Sequence, residues 1–241
     1  MVVYGSNTNT GKLYYCIYDG SSWGPVSNCA PTNGSNDISL TDGTTALTGV
    51  ARWVRLAARG DNNGIVKSNE ILLAVQDANN DIYVGKWTGS AWSTTDDKTV
   101  TQDASSIAAR TFDVAWETVS GTEMVVYGDL EGASADALRY RTSTGSGFGA
   151  ESNVAANTPL WVTLASDPSS DRIALQAVAG TTYTPRVWKG DNSTASWASS
   201  GTTMGGETVT GENGYAAWEH YNGGTPTARF VATTSGALIT Q

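Results

Sequence analysis

Four stretches of this chain repeat one hairpin design: residues 13–23, 82–92, 138–148 and 186–197. Each holds an alternating strand, a turn containing glycine, and an aromatic residue three or more positions past that glycine: Trp23, Trp92, Phe148 and Trp197. Alternation of period two marks a strand with two different faces. Glycine supplies the positive φ that a tight hairpin turn needs. Another strand precedes three of the hairpins, at residues 71–75, 124–127 and 173–178. A further strand lies upstream again, at 53–57, 112–116 and 161–165, with 215–218 as a fourth of its kind. Four strands in a unit of roughly 40–45 residues is the pattern of β-propeller blades. A β-sandwich supplies short strands, but not similar quartets of them.

The units alternate. Trp53-Val-Arg-Leu-Ala57 resembles Trp161-Val-Thr-Leu-Ala165, and Ala115-Trp-Glu117 matches Ala217-Trp-Glu219. A duplicated two-blade module predicts an even count: an all-β small propeller of four blades, each of four antiparallel strands, with five blades as the alternative. The pentapeptide Met-Val-Val-Tyr-Gly occurs at residues 1–5 and again at 124–128. Its first copy lacks the strand that precedes the second, so the ring is expected to be cut open within a blade. Residues 1–28 then complete a blade whose first strand lies at 215–221. Met1 reads as a repeat position, and no signal peptide is visible in front of it. The predicted propeller domain is 1–226, which leaves 227–241 as a surplus segment. Met1, Val2, Val3 and Tyr4 compete with Ala228, Arg229, Phe230, Val231 and Ala232 for one place in one blade. Together with Leu238 and Ile239, the later segment is the candidate donor strand, and residues 1–4 are the candidate acceptor.

Composition narrows the function classes. Charged residues make up 15% of the chain, against about 25% in ordinary soluble domains. Polarity comes from Thr, Ser, Asn and 27 Gly, with nine Trp and ten Tyr against three Phe. The net charge is −9 and no basic cluster exists, which argues against nucleic acid and anionic membranes as partners. No apolar run is long enough for a transmembrane helix. Cys16 and Cys29 flank the turn at Asp19-Gly20, a spacing that permits either a local disulfide or two buried thiols. Asn33 and Asn192 head glycosylation sequons. An extracellular or cell-surface setting is expected.

Catalytic signatures are missing. His220 is the one histidine, and it has neither a triad partner nor a metal cluster in sequence. No phosphate loop or nucleophile elbow occurs. Tyr18-Asp-Gly-Ser-Ser-Trp23 places Asp beside Gly, which breaks the Asp-box pattern of sialidase-type propellers. Glu117 and Glu219 fall at equivalent positions, a consequence of duplication rather than a glycosidase pair. The acidic turns at 61–64 and 77–81 lack a full calcium-loop spacing. No enzyme activity, cofactor or metal is therefore expected. The recurring hairpin aromatics Tyr14, Trp23, Trp87, Trp92, Trp188 and Trp197 suit either packing between blades or stacking on sugar rings.

These Trp-rich, Asn/Thr/Gly-rich blades resemble those of secreted prokaryotic tandem-repeat β-propeller proteins. The parallel extends to propeller subunits of extracellular filaments linked by donated strands. The resemblance implies a structural or adhesive protein whose partner is itself, assembled head to tail. The alternative is a lectin-like propeller that binds surface glycans through the hairpin aromatics.

Overall fold

A computed structural model describes residues 1–5, 12–24, 37–38, 47–60, 69–93, 98–101, 104–106, 108–130, 137–155, 157–189, 195–199, 204–205, 214–219, 226–234 and 237–240. These residues form five antiparallel sheets. Sheet 1 holds β1 (Val2–Gly5), β2 (Leu13–Tyr18), β3 (Trp23–Gly24) and β4 (Asp37–Ile38). Sheet 2 runs through β5 (Ala51–Ala58), β6 (Ile71–Asp77), β7 (Ile82–Trp87) and β8 (Lys98–Thr101). Sheet 3 runs through β9 (Phe112–Trp116), β10 (Glu123–Asp129), β11 (Ala137–Ser143) and β12 (Ser152–Ala155). Sheet 4 contains β13 (Trp161–Ser166), β14 (Ile173–Ala179), β15 (Thr182–Trp188), β16 (Trp197–Ser199) and β17 (Met204–Gly205). Sheet 5 contains β18 (Tyr215–Glu219), β19 (Thr227–Thr234) and β20 (Ala237–Thr240).

The sheets stack in sequence order, and each interior sheet is buried on both faces. In β6, Leu72 and Ala74 join Phe112, Val114 and Trp116 in the core between sheets 2 and 3. Leu73 and Val75 of the same strand join Leu13, Ile38 and Leu47 between sheets 1 and 2. The strand therefore reads as an unbroken apolar run, because alternate residues serve two different cores. β14 repeats the arrangement: Ile173, Leu175 and Ala177 face sheet 3, while Ala174 and Val178 face sheet 5.

The two-sheet alternation seen in the sequence has a physical counterpart. The Trp116 indole N–H donates to Ala57 O at 2.9 Å, and that of Trp218 donates to Ala165 O at 2.8 Å. Arg59 lies over Trp116 and Arg172 over Trp218, at 5.7 and 4.7 Å from the ring centroids. Each of these arginines is fixed by a carboxylate, Glu70 at 2.6 Å and Asp167 at 2.7 Å. Deep between sheets 2, 3 and 4, Asp113 accepts from Arg55 at 2.8 Å and from the Leu164 N–H at 2.9 Å, with Arg110 at 3.2 Å.

One expectation is corrected. Residues 1–5 and 215–219 do not share a sheet: β1 pairs with β2, and β18 pairs with β19. β1 and β19 hold the second-strand place of two separate sheets, so no competition arises within the chain. The reason is local. β19 follows β18 as a hairpin partner, and a short connection closes at less entropic cost than pairing with a strand at the far end of the sequence. β19 is paired on both edges, with β18 and β20. Phe230 and Ala232 are buried against Trp161, Val178 and Tyr183 of sheet 4. Phe230 and Ala232 of β19 are thus part of the core of their own chain.

Candidate functional site

Three hairpins place two aromatics side by side: Tyr18 with Trp23, Trp87 with Trp92, and Trp188 with Trp197. The second and third pairs are each covered by a tyrosine from the sheet before. Tyr15 lies 5.4 Å from Trp87 and 5.7 Å from Trp92; Tyr140 lies 5.2 Å from Trp188 and 6.0 Å from Trp197. Trp87 and Trp188 are buried, as is Tyr14. These residues are the wedge between neighbouring sheets, the packing role that the sequence left open.

The first pair differs. Tyr18 and Trp23 sit 5.3 Å apart, yet they are 52% and 42% exposed. Nothing among the described residues covers them as Tyr15 and Tyr140 cover their counterparts. The turn beneath them is rigid. The Asp19 carboxylate accepts the N–H groups of Ser22 and Ser21, both at 2.8 Å, and the Ser21 hydroxyl at 2.9 Å. Those bonds favour the charged form and bring its pKa down to about 2. Gly20 has φ +104°, which a side chain would strain, and its carbonyl accepts from the Tyr18 hydroxyl at 2.9 Å. The result is an aromatic platform on a fixed hairpin, flanked by a carboxylate and two serine hydroxyls. Trp23 was legible as a hairpin aromatic. Tyr18 was missed; the signal was its place opposite Trp23, matching Trp87 opposite Trp92.

A cleft of about 490 Å³ opens between sheets 1 and 2, lined by Met1, Ile17, Arg59, Glu70, Ile71 and Trp87 among others. At the corresponding boundary between sheets 3 and 4 the space is filled. Glu117 accepts the Trp188 indole N–H at 2.6 Å and the Lys189 ammonium at 3.0 Å. Thr118 Oγ1 donates to Asp167 O at 2.7 Å. Burial opposes the Glu117 charge, but hydrogen bonds from Ser120, Trp188 and Lys189 outweigh it and hold the pKa below its ordinary value. A carboxylate so held does not serve as a general acid at neutral pH.

The other sequence-derived sites are scattered. Glu219 is exposed and pairs with Arg229 at 2.5 Å; sheet 4 separates it from Glu117, so the two do not form a catalytic pair. Asp77 accepts N–H groups from Gly49, Asn79 and Asp81, and Asp81 accepts from Thr48 and Tyr83. Those donors occupy the oxygens a calcium ion would need. Among the described residues no group of three or more His, Cys, Asp or Glu is placed to hold a metal. Met1, Val2, Val3 and Tyr4 lie at the edge of sheet 1. Leu238 and Ile239 belong to β20, paired with Thr233 and Ala232. Cys16 is buried on β2, whereas Cys29, Asn33, Asn192, His220 and the turn at 61–64 lie outside the described residues.

No protein-family model matches the sequence, and no curated protein matches it. Solved structures do match. The lectin of Aleuria aurantia in complex with Fucα1-6GlcNAc shares 14% identity over 92% of this chain and 64% of its own, with a TM-score of 0.51. A further structure of that lectin, described as a six-bladed β-propeller, shares 14% over 95% of this chain and 69% of its own, at TM-score 0.50. The lectin SapL1 in complex with α-methyl fucoside shares 13% over 95% of this chain and 71% of its own, also at 0.50. The chain spans less than two thirds of the first of these structures. Identities this low speak for the fold alone, and that fold is all-β and propeller-like, built from antiparallel sheets as in these lectins.

Proposed function

We propose that this chain is a carbohydrate-binding, lectin-like protein of the cell exterior, and that the Tyr18–Trp23 hairpin is a sugar contact. The observation that carries the reading is the exposure of this one pair. Its counterparts Trp87–Trp92 and Trp188–Trp197 are packed beneath a tyrosine. Leaving two large aromatics half exposed forgoes roughly 1 kcal/mol apiece that full burial would bring. An aromatic face with polar groups at its rim suits a sugar ring, which offers a C–H face and hydroxyls at its edge. Asp19, Ser21 and Ser22 stand at that rim. The propeller-like fold adds support, since the structures named above include lectins bound to fucosides. The low charge content and the Thr- and Asn-rich composition suit the exterior.

A glycan array that includes α-methyl fucoside and Fucα1-6GlcNAc tests the proposal. Binding is expected to fall about tenfold or more in Trp23→Ala, the equivalent of about 1.4 kcal/mol, with the melting temperature unchanged. An array that stays silent, or a signal that Trp23→Ala leaves intact, overturns it.

A further inference from the structure

The hydroxyl protons around the Tyr18–Trp23 platform are directed inward, and this restricts which sugar suits the site. A carboxylate or carbonyl oxygen accepts and does not donate, so a bond to one fixes where the hydroxyl proton lies. The Ser21 hydroxyl donates to Asp19 Oδ1 at 2.9 Å, and the Ser22 hydroxyl donates to Asp19 Oδ2 at 3.2 Å. The Tyr18 hydroxyl donates to the Gly20 carbonyl at 2.9 Å. Each hydroxyl has one proton, and all three are committed within the turn. What these groups present to solvent is oxygen lone pairs. Asp19 adds a negative charge, and Tyr18, Asp19, Ser21 and Ser22 are all exposed. Asp19 Oδ1 accepts three bonds, whereas among the described residues Oδ2 accepts one and keeps room for a second. No cation lies in the hairpin, since residues 13–24 contain neither Lys nor Arg.

The charge is not a demand of the turn. The residue before the turn glycine is Asp19, Thr88, Thr144 or Lys189 in the four hairpins. The hairpin of sheet 2 closes in the same way with a neutral residue. Thr88 Oγ1 accepts the Ala91 N–H at 3.3 Å, as Asp19 Oδ1 accepts that of Ser22 at 2.8 Å. Both turns also carry one backbone bond of the same kind, Asp19 N–H to Ser22 O and Thr88 N–H to Ala91 O. A carboxylate therefore stands at the exposed aromatic pair, where a threonine closes the turn beside a covered one.

A rim of acceptors with a negative charge needs a ligand that brings donors. A sugar hydroxyl brings one proton; an ammonium brings three, together with the opposite charge. A sugar carboxylate brings no donor and is repelled. Resting on the sugar-binding reading above, we propose that the Tyr18–Trp23 site selects glycans that carry a free amino sugar, its ring on the aromatic pair and its ammonium against Asp19 and the Ser21 and Ser22 oxygens. The aromatic faces favour the same ligand, because a cation is attracted to a π face.

Isothermal titration calorimetry of the full chain with tetramers of glucosamine, of N-acetylglucosamine and of galacturonic acid tests the assignment. Mildly acidic pH keeps the amine protonated, while Asp19, its pKa lowered to about 2, stays ionised. The glucosamine tetramer should bind about fivefold more tightly than the acetylated one, and the uronate tetramer should bind most weakly. The preference should shrink as salt rises from about 50 mM to about 0.5 M, because the contact is exposed. Asp19→Asn keeps an acceptor for the turn and loses the charge; it should abolish the difference between amine and acetamide. Equal binding of the tetramers, lost in Trp23→Ala, leaves the sugar contact standing and overturns the amine selectivity. A preference that persists in Asp19→Asn overturns the role of the carboxylate. Silence towards the glucosamine tetramer overturns the amino-sugar assignment even where the glycan array gives a Trp23-dependent signal, and a silent array overturns the wider reading with it. If Asp19→Asn fails to fold, the rank order on the unaltered chain decides.

Discussion

The indole N–H of Trp188 donates to the carboxylate of Glu117 at 2.6 Å, tying sheet 4 to the hairpin loop of sheet 3. Lys189 shares that carboxylate at 3.0 Å. Glu117→Ala leaves both donors without their acceptor, and the carboxylate they lose is almost fully buried. A loss of about 2–4 kcal/mol is expected, read as a lower midpoint in urea denaturation.

The same group predicts a pH dependence. The pKa values of Glu117 and Asp167 are both held below their ordinary values: burial works against the charge, and hydrogen bonds outweigh it. A carboxylate depressed in the folded state stabilises fully above its unfolded pKa, about 4.3 for Glu and 3.9 for Asp. That contribution disappears as pH falls through the lower folded value. Stability should therefore decline on acidification below about pH 4, and Glu117→Gln should flatten the decline. Thermal melts at a series of pH values check this; an identical slope in the variant would refute the assignment.

Phe230 measures whether the late strands belong to their own chain. It is 2% exposed and packs against Trp161 and Tyr183. Phe230→Ala should cost about 3–5 kcal/mol, seen in dilute solution where self-association is absent. A neutral result would return the strand to the role of a surplus arm.

Gln176 offers a gain. It is fully buried between sheets 4 and 5, and neither its amide oxygen nor its amide nitrogen finds a partner among the described residues. Replacing such a group with an apolar one of similar shape removes a desolvation cost of about 1–3 kcal/mol. Gln176→Leu should raise the melting temperature, and a fall would mean that ordered water serves the amide.

Trp23 and Trp188 separate contact from packing. Trp188→Ala should cost about 3–5 kcal/mol, because Tyr140, Trp197 and Glu117 all lose a neighbour. Trp23→Ala should change stability by less than about 1 kcal/mol. Differential scanning fluorimetry on the two variants is sufficient.

Much of the fold was legible because alternation and repetition report on pairing within one sheet. The strand expected at residues 173–178 is β14, Ile173–Ala179. The match of Ala115-Trp-Glu117 to Ala217-Trp-Glu219 became two equivalent indole hydrogen bonds. Pairing between distant segments was not legible. Residues 1–5 and 228–232 fit the same position equally well by pattern, and chain connectivity decided between them. The sorting of the aromatics was hidden for a similar reason. Whether Trp87 is covered depends on Tyr15, a residue of the sheet before. Asp113 carried no motif, because its partners are distant in sequence or outside its strand: Arg55 of sheet 2, Leu164 of sheet 4, and Arg110 of the segment before β9.

Because β6, β10 and β14 each divide their side chains between two cores, an interior sheet cannot open without disturbing both neighbours. Cooperativity then runs along the stack as in a one-dimensional array with nearest-neighbour coupling. Amide exchange should be slowest in the middle strands of sheets 2, 3 and 4, whose side chains serve two cores, and quicken in sheets 1 and 5, whose described residues serve one core each. The exchange rates would follow position in the stack more closely than hydrogen-bond length, and lengthening such a protein by whole sheets would move its least protected amides outward without weakening its centre.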